Sequence, residues 1–233
     1  MEHTFLDKYS DLDSFLHRLA PQIKIITFFI FIIFILTTPL NKTGHLLAYL
    51  FFLIFLIFLS RIPMLYIFKR SLVILPFIFL ISLFNLVYQR FGIFTLIFKS
   101  WLAVLVLILL SSTTKFSLLL KGMEKLHLPK ILITLSSFMY RYLFVLTDEA
   151  MRMQRAWNMR YFGKNKLKQI KIIGNIIGIL FVHSYERAER VYQAMCARGF
   201  TGQILTLDKL KIGKREIFFS LIFLGILLMI TAI

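Results

Sequence analysis

The side chains able to do chemistry in this 233-residue chain are few and scattered. The five histidines, His3, His17, His45, His127 and His183, include no pair at the helical spacing that would aim two imidazoles at one metal ion. Cys196 is the single cysteine, so it has neither a disulfide partner nor a companion for a thiolate metal site, and it reads as a small apolar helix residue. No G-x-x-x-x-G-K-[ST] segment is present, so the loop that cradles nucleotide phosphates is missing. The acidic pairs Asp148-Glu149 and Glu186/Glu189 lie among arginines in helical stretches, where salt-bridged structural pairing accounts for them better than acid–base catalysis. These residues predict a chain that is not an enzyme, carries no cofactor and holds no tight metal site. In isolation it should neither bind nor hydrolyse ATP.

The elements that carry these residues are strongly apolar. Hydrophobic residues make up 59% of the chain, 26 of them phenylalanine, well above the roughly 45–50% of soluble domains. An all-α polytopic membrane protein is the class that fits. Uncharged or nearly uncharged runs cover Ile25–Asn41, Thr43–Ser60, Ser71–Gln89, Phe91–Thr114 (broken only by Lys99) and Ile217–Ile233. Each is long enough, at about 17–25 helical residues, to cross a hydrocarbon core. Five spans are therefore expected, four within 25–114 and one at 217–233. All 11 acidic residues fall outside them, which disfavours a self-sufficient ion-coupled carrier. Lys99 is the one ionisable candidate inside, and snorkelling of its ammonium to the interface explains it.

Charge sets the orientation. Lys and Arg total 28 against 11 Asp and Glu, and residues 141–215 alone hold 15 basic and 5 acidic side chains. Lys and Arg concentrate in cytoplasmic loops of membrane proteins. The leader 1–24, the 61–70 loop and the 115–215 region are thus expected in the cytoplasm, with the C-terminus outside. A nucleic-acid partner is not expected, because the basic residues sit in membrane-linked helices without a nucleic-acid module.

The 115–215 region combines apolar and basic halves. Ile131–Leu146 and Ile172–Tyr185 each run into a charged helical stretch, Thr147–Arg160 and Glu186–Arg198. Two long amphipathic helices ending near 160 and 198 are predicted, lying on the membrane face, dipping into it or crossing it. Gly199 stands where a helix C-terminal glycine would. The Lys164–Lys171 cluster between the helices suits anionic lipid headgroups.

Several of these segments resemble a known family. Met139-Tyr140-Arg141-Tyr142 continuing through Asp148-Glu149 and Arg152 to Arg160, then Glu186–Met195 and Ala197-Arg198-Gly199-Phe200, are similar to the T component of energy-coupling factor (ECF) transporters, most closely the cobalt-type CbiQ form. Asp7–Lys24, with Ser14, His17-Arg18, Pro21 and Lys24, also fits. So does the turn from Ser111-Ser112-Thr113-Thr114 to Gly122 and Pro129.

That resemblance implies a multi-pass subunit of a bacterial or archaeal cell membrane. It would link two cytoplasmic ABC-type ATPases to a small membrane-embedded S component that captures substrate, here cobalt or nickel. In such proteins two Ala-Arg-Gly-like motifs end the two coupling helices and enter grooves on the ATPases. Ala197-Arg198-Gly199 matches the second motif fully; Met159-Arg160-Tyr161 stands at the first and keeps only the arginine. Two alternatives are a T component serving a vitamin importer and a membrane-embedded enzyme acting on lipids. The second needs a clustered acid, base or metal site that the sequence lacks.

Overall fold

The computed structural model describes residues 10, 12, 14–39, 43–80, 93–160, 166–202 and 213–232, and among them every regular element is a helix. In chain order these are α1 (Phe15–Arg18), α2 (Pro21–Thr37), α3 (Thr43–Ser60), α4 (Met64–Leu72), α5 (Ile93–Thr113), α6 (Phe116–Lys125), α7 (Lys130–Asn158), α8 (Lys166–Ala197) and α9 (Lys214–Ala232). They form two units, residues 128–207 and the remainder of the chain.

Prolines punctuate the first unit. Pro21 opens α2 at its first turn, where a missing N–H costs nothing. Thr38, after the last residue of α2, is extended (ψ 131°), as the residue before Pro39 must be. Pro63 precedes α4. The predicted run Ser71–Gln89 is not one uninterrupted helix where it is described. Its backbone turns at 73–74 and resumes as helix over 75–80, because Pro76 has no N–H to give and would crowd the carbonyl one turn back. The rest of that run lies outside the described residues.

Two described helical stretches are long and apolar enough to cross a membrane: Phe94–Thr113 within α5, and α7. The apolar stretches Pro21–Thr37 and Gly44–Ser60 sit at the short end of the spanning range.

In the first unit α2 packs most extensively on α5 and α6. Phe31 is fully buried and takes tilted or edge-on contacts from Tyr49, Phe52 and Phe223 at centroid distances of 5.6–5.8 Å. Aromatic pairs in such geometry add about 0.5–1.5 kcal/mol each beyond area burial. Leu53, Leu102, Val106, Leu109 and Leu227 close the core around them.

Two lysines tie α2 to α5. Lys24, in the first turns of α2, is 1% exposed and donates to the Thr113 carbonyl (3.0 Å), Thr114 Oγ1 (3.2 Å) and the His17 carbonyl (3.3 Å). Lys99, in the first turns of α5, donates to the carbonyls of Leu36 (3.3 Å) and Thr38. Each helix thus uses a lysine near its own start to satisfy carbonyls at the other's end, where the helix dipole favours a cation. The Lys99 ammonium thus reaches the end of α2, where carbonyls rather than water receive it, and the residue is 8% exposed.

The close approach of α6 to α2 depends on Gly122. A Cβ there would lie 3.0 Å from Ile25 Cδ1, and 3.2 Å from both the Gln22 nitrogen and the Pro21 carbonyl carbon. Backbone on the opposing helix cannot give way as a side chain can. Gly122→Val is therefore expected to lower stability by about 1–3 kcal/mol through overpacking, despite its better helix propensity. Thermal denaturation in detergent checks this, and a variant as stable as the parent would refute the tight packing.

Candidate coupling motifs at two helix ends

The second unit consists of α7 and α8 packed on each other. Glu149 of α7 is the polar link between them. Its Oε1 lies 2.8 Å from His183 Nδ1 and its Oε2 accepts from the Arg187 guanidinium at 3.0 Å, both partners on α8. The carboxylate side chain is only 16% exposed, so these bonds are better sheltered from water than a surface pair. The expected salt-bridged structural pairing holds for Glu149, and its partners lie across the helix pair. Glu186 does pair within its helix, with Arg190 at 3.7 Å, in an exposed contact worth little.

α8 ends as its sequence predicts. The Phe200 N–H reaches back to the Met195 carbonyl and the Gly199 N–H to the Cys196 carbonyl, both at 3.0 Å, and Gly199 has φ +77°. These two bonds and a left-handed glycine define the Schellman motif, which closes orphan carbonyls at a helix end. Ala197 is the last helical residue and Arg198 stands between helix and glycine, both exposed. Cys196 is exposed as well, so its reading as an apolar helix residue does not rest on burial.

α7 ends differently. Met159 keeps right-handed backbone (φ −71°, ψ −23°), and the Arg160 N–H closes a tighter turn onto the Trp157 carbonyl at 2.9 Å. No left-handed residue stops the helix within the described residues, and Tyr161 lies outside them. Met159 is 79% exposed and Arg160 is exposed beside it.

What the neighbouring arginines do sets these two apart. Arg152 and Arg155 fold their side chains back on carbonyls of Asp148 (3.4 Å) and Met151 (3.2 Å). Arg141 lies near the Tyr142 ring, Arg187 holds Glu149, and Arg190 meets Glu186. Among the described residues the guanidiniums of Arg160 and Arg198 have no hydrogen bond or ion pair, so both are available to a partner. Sequence reasoning singled out these two positions as candidates and missed the Glu149–His183–Arg187 link, whose partners on α8 lie 34 and 38 residues from Glu149 and share no local pattern with it. Among the described residues no three His, Cys, Asp or Glu side chains converge as a metal site would require.

The described residues thus comprise a helical body with apolar helices and a two-helix unit whose helices end beside exposed arginines. The family described as cobalt transport protein (CbiQ) matches residues 13–207, and the chain belongs to that family, the T component of ECF transporters. It is 28% identical to the energy-coupling factor transporter transmembrane protein EcfT of Bacillus subtilis, over 87% of this chain and 86% of that one. It is 26% identical to the uncharacterized protein MJ1571 of Methanocaldococcus jannaschii, over 94% of this chain and 83% of that protein. A shorter match, 34% identical over 39% of this chain and 33% of its partner, is to the nickel permease LarQ of Lactiplantibacillus plantarum.

Proposed function

We propose that this chain is the coupling subunit of an ECF-type importer for cobalt or nickel. In this reading it spans the cell membrane with five helices and transmits ATP-driven movement from two ABC-type ATPases to a small membrane-embedded S component. The observation that carries the reading is the pair of unengaged arginines at the ends of α7 and α8, Arg160 and Arg198, in a region where nearby arginines are occupied. A guanidinium at a helix tip has a planar fork of donors and suits a groove lined by carboxylates and carbonyls. The Schellman turn at Gly199 terminates α8 sharply, so Arg198 projects from a defined end rather than a fraying one. Met159, Arg160 and Tyr161 serve the second contact, and Ala197 is small enough to let the tip approach closely.

The metal cargo follows from the family's description and from a relative described as a nickel permease. Selection of the ion belongs to the S component, since the histidines here are dispersed. Hydrolysis belongs to the ATPases, since no phosphate-cradling loop is present.

The test is purification of the tagged chain from its native membrane. ABC ATPases and a small membrane subunit should accompany it, and ATPase activity should disappear when the chain is stripped of them. A solitary chain with lipid-modifying activity, or robust nucleotide hydrolysis by the stripped chain, would refute the proposal.

A further inference from the structure

Three arginines far apart in the sequence line one cavity of about 490 Å³ in the first unit. Arg18 ends α1, Arg61 follows the last residue of α3, and Arg215 lies in the first turn of α9. The convergence is built by packing. Phe15 of α1 meets Phe219 of α9 with ring centroids 5.9 Å apart, and both helices pack on α3. Arg61 adopts φ +57°, the left-handed region that a non-glycine residue enters only at a cost, and its N–H still closes onto the Phe58 carbonyl at 3.2 Å.

The charge of the described residues lining this cavity is unbalanced. Glu216 is the one carboxylate among them. The guanidiniums of Arg61 and Arg215 make no hydrogen bond or ion pair among the described residues. Oε2 of Glu216 is buried and likewise has no hydrogen-bond partner among them. The cavity therefore offers guanidinium donors for an anion with the Glu216 carboxylate beside them. Phe15, Leu19 and Leu59 supply an apolar wall alongside.

A phosphate beside a hydroxyl or ammonium, carried on an apolar stem, complements all three features. We propose that this cavity binds the headgroup of a membrane phospholipid. The phosphate sits among Arg18, Arg61 and Arg215, the headgroup hydroxyl or ammonium turns to Glu216, and the glycerol and acyl stem lie along Phe15, Leu19 and Leu59. Guanidinium binds phosphate through paired, charge-assisted hydrogen bonds, which makes arginine the suited residue. From the charge distribution the leader, the 61–70 loop and the basic region ending at Arg215 are expected on one membrane face. Such a site differs from diffuse attraction of lipid to the Lys164–Lys171 cluster, because it has walls and a fixed stoichiometry.

The experiment has two arms on the full chain in detergent. In the first, phospholipid retained through purification is measured by mass spectrometry for the parent chain, for R61Q/R215Q, and for a chain with Lys164, Lys166, Lys168 and Lys171 changed to Gln. The parent and the lysine variant should retain phospholipid alike, and R61Q/R215Q should retain about tenfold less or lower. In the second, the delipidated parent chain is titrated with phosphatidylglycerol or with inorganic phosphate, and its thermal transition is followed. Phosphatidylglycerol should raise the transition and inorganic phosphate at equal concentration should not. Equal retention by R61Q/R215Q, loss of retention in the lysine variant, or equal stabilisation by inorganic phosphate would each overturn the proposal. Where R61Q/R215Q fails to fold, the titration of the parent decides.

Discussion

Arg198→Glu is expected to leave the chain inserted in the membrane and to abolish metal uptake and ATPase co-purification. Arg198 is exposed, lies beyond the last residue of α8, and its guanidinium has no partner among the described residues. Reversing its charge therefore removes no internal contact, and the fold should survive. The damage falls on the interface. Truncating a docked arginine commonly costs a few kcal/mol, and a carboxylate in its place adds repulsion against the groove that received the cation. At about 1.4 kcal/mol per tenfold, ATPase capture should weaken by roughly ten- to a thousandfold.

Neighbouring substitutions sort the causes. Arg160→Glu should act in the same direction but less severely, because the motif there keeps only the arginine. Gly199→Ala keeps the charge but strains φ +77°, where nothing crowds the added Cβ. Its cost is the left-handed backbone penalty of about 1–2 kcal/mol, and its effect on coupling should be intermediate. The lysine cluster should matter least. Pull-down and uptake at equal expression compare all of these, and normal uptake by Arg198→Glu with an essential lysine cluster would place the coupling contact elsewhere.

Lys24→Met is expected to destabilise the membrane body more than any exposed substitution in the chain. The methionine fills similar volume, yet the Thr113 carbonyl and Thr114 Oγ1 lose a donor in surroundings from which water is excluded. Buried groups left unpaired cost about 1–3 kcal/mol each, and bonds to a charged donor are the stronger kind. Relief from burying an ammonium offsets part of this. A net loss of about 2–4 kcal/mol follows, with α2 and α5 loosened at one end. Lys99→Met should loosen the opposite end by a similar mechanism. Thermal denaturation of the detergent-solubilised variants checks both, and a Lys24→Met chain as stable as its parent would mean that the three bonds contribute nothing net.

The legible and illegible parts of this protein divide by range of interaction. Gly199 could be placed from sequence because a helix end is a local event. One residue free to take positive φ, set after a run of helix formers, closes bonds to carbonyls three and five positions back. Proline breaks are local in the same way, and Pro76 shows the limit of reading apolar runs by composition alone. Hydropathy sees an uninterrupted run from 71 to 89, and the backbone turns within it. The partners of the two buried lysines were illegible for a different reason. The acceptors of Lys24 on the α5 end lie 89 and 90 residues away and those of Lys99 lie 63 and 61 residues away, so no spacing rule could pair them.

By itself the sequence determined the helical class, the apolar runs, the concentration of positive charge and the two arginines that follow the long amphipathic helices. All of these follow from composition and from contacts within one helical turn. Only the tertiary structure decided which ionisable groups are spent inside the molecule and which are left free. Lys24 and Lys99 are consumed by helix ends and Glu149 by His183 and Arg187, whereas Arg61, Arg160, Arg198 and Arg215 keep their charge unengaged among the described residues. The physical reason is that a charge's role depends on the dielectric and the partners around it, and both are set by elements distant in the chain.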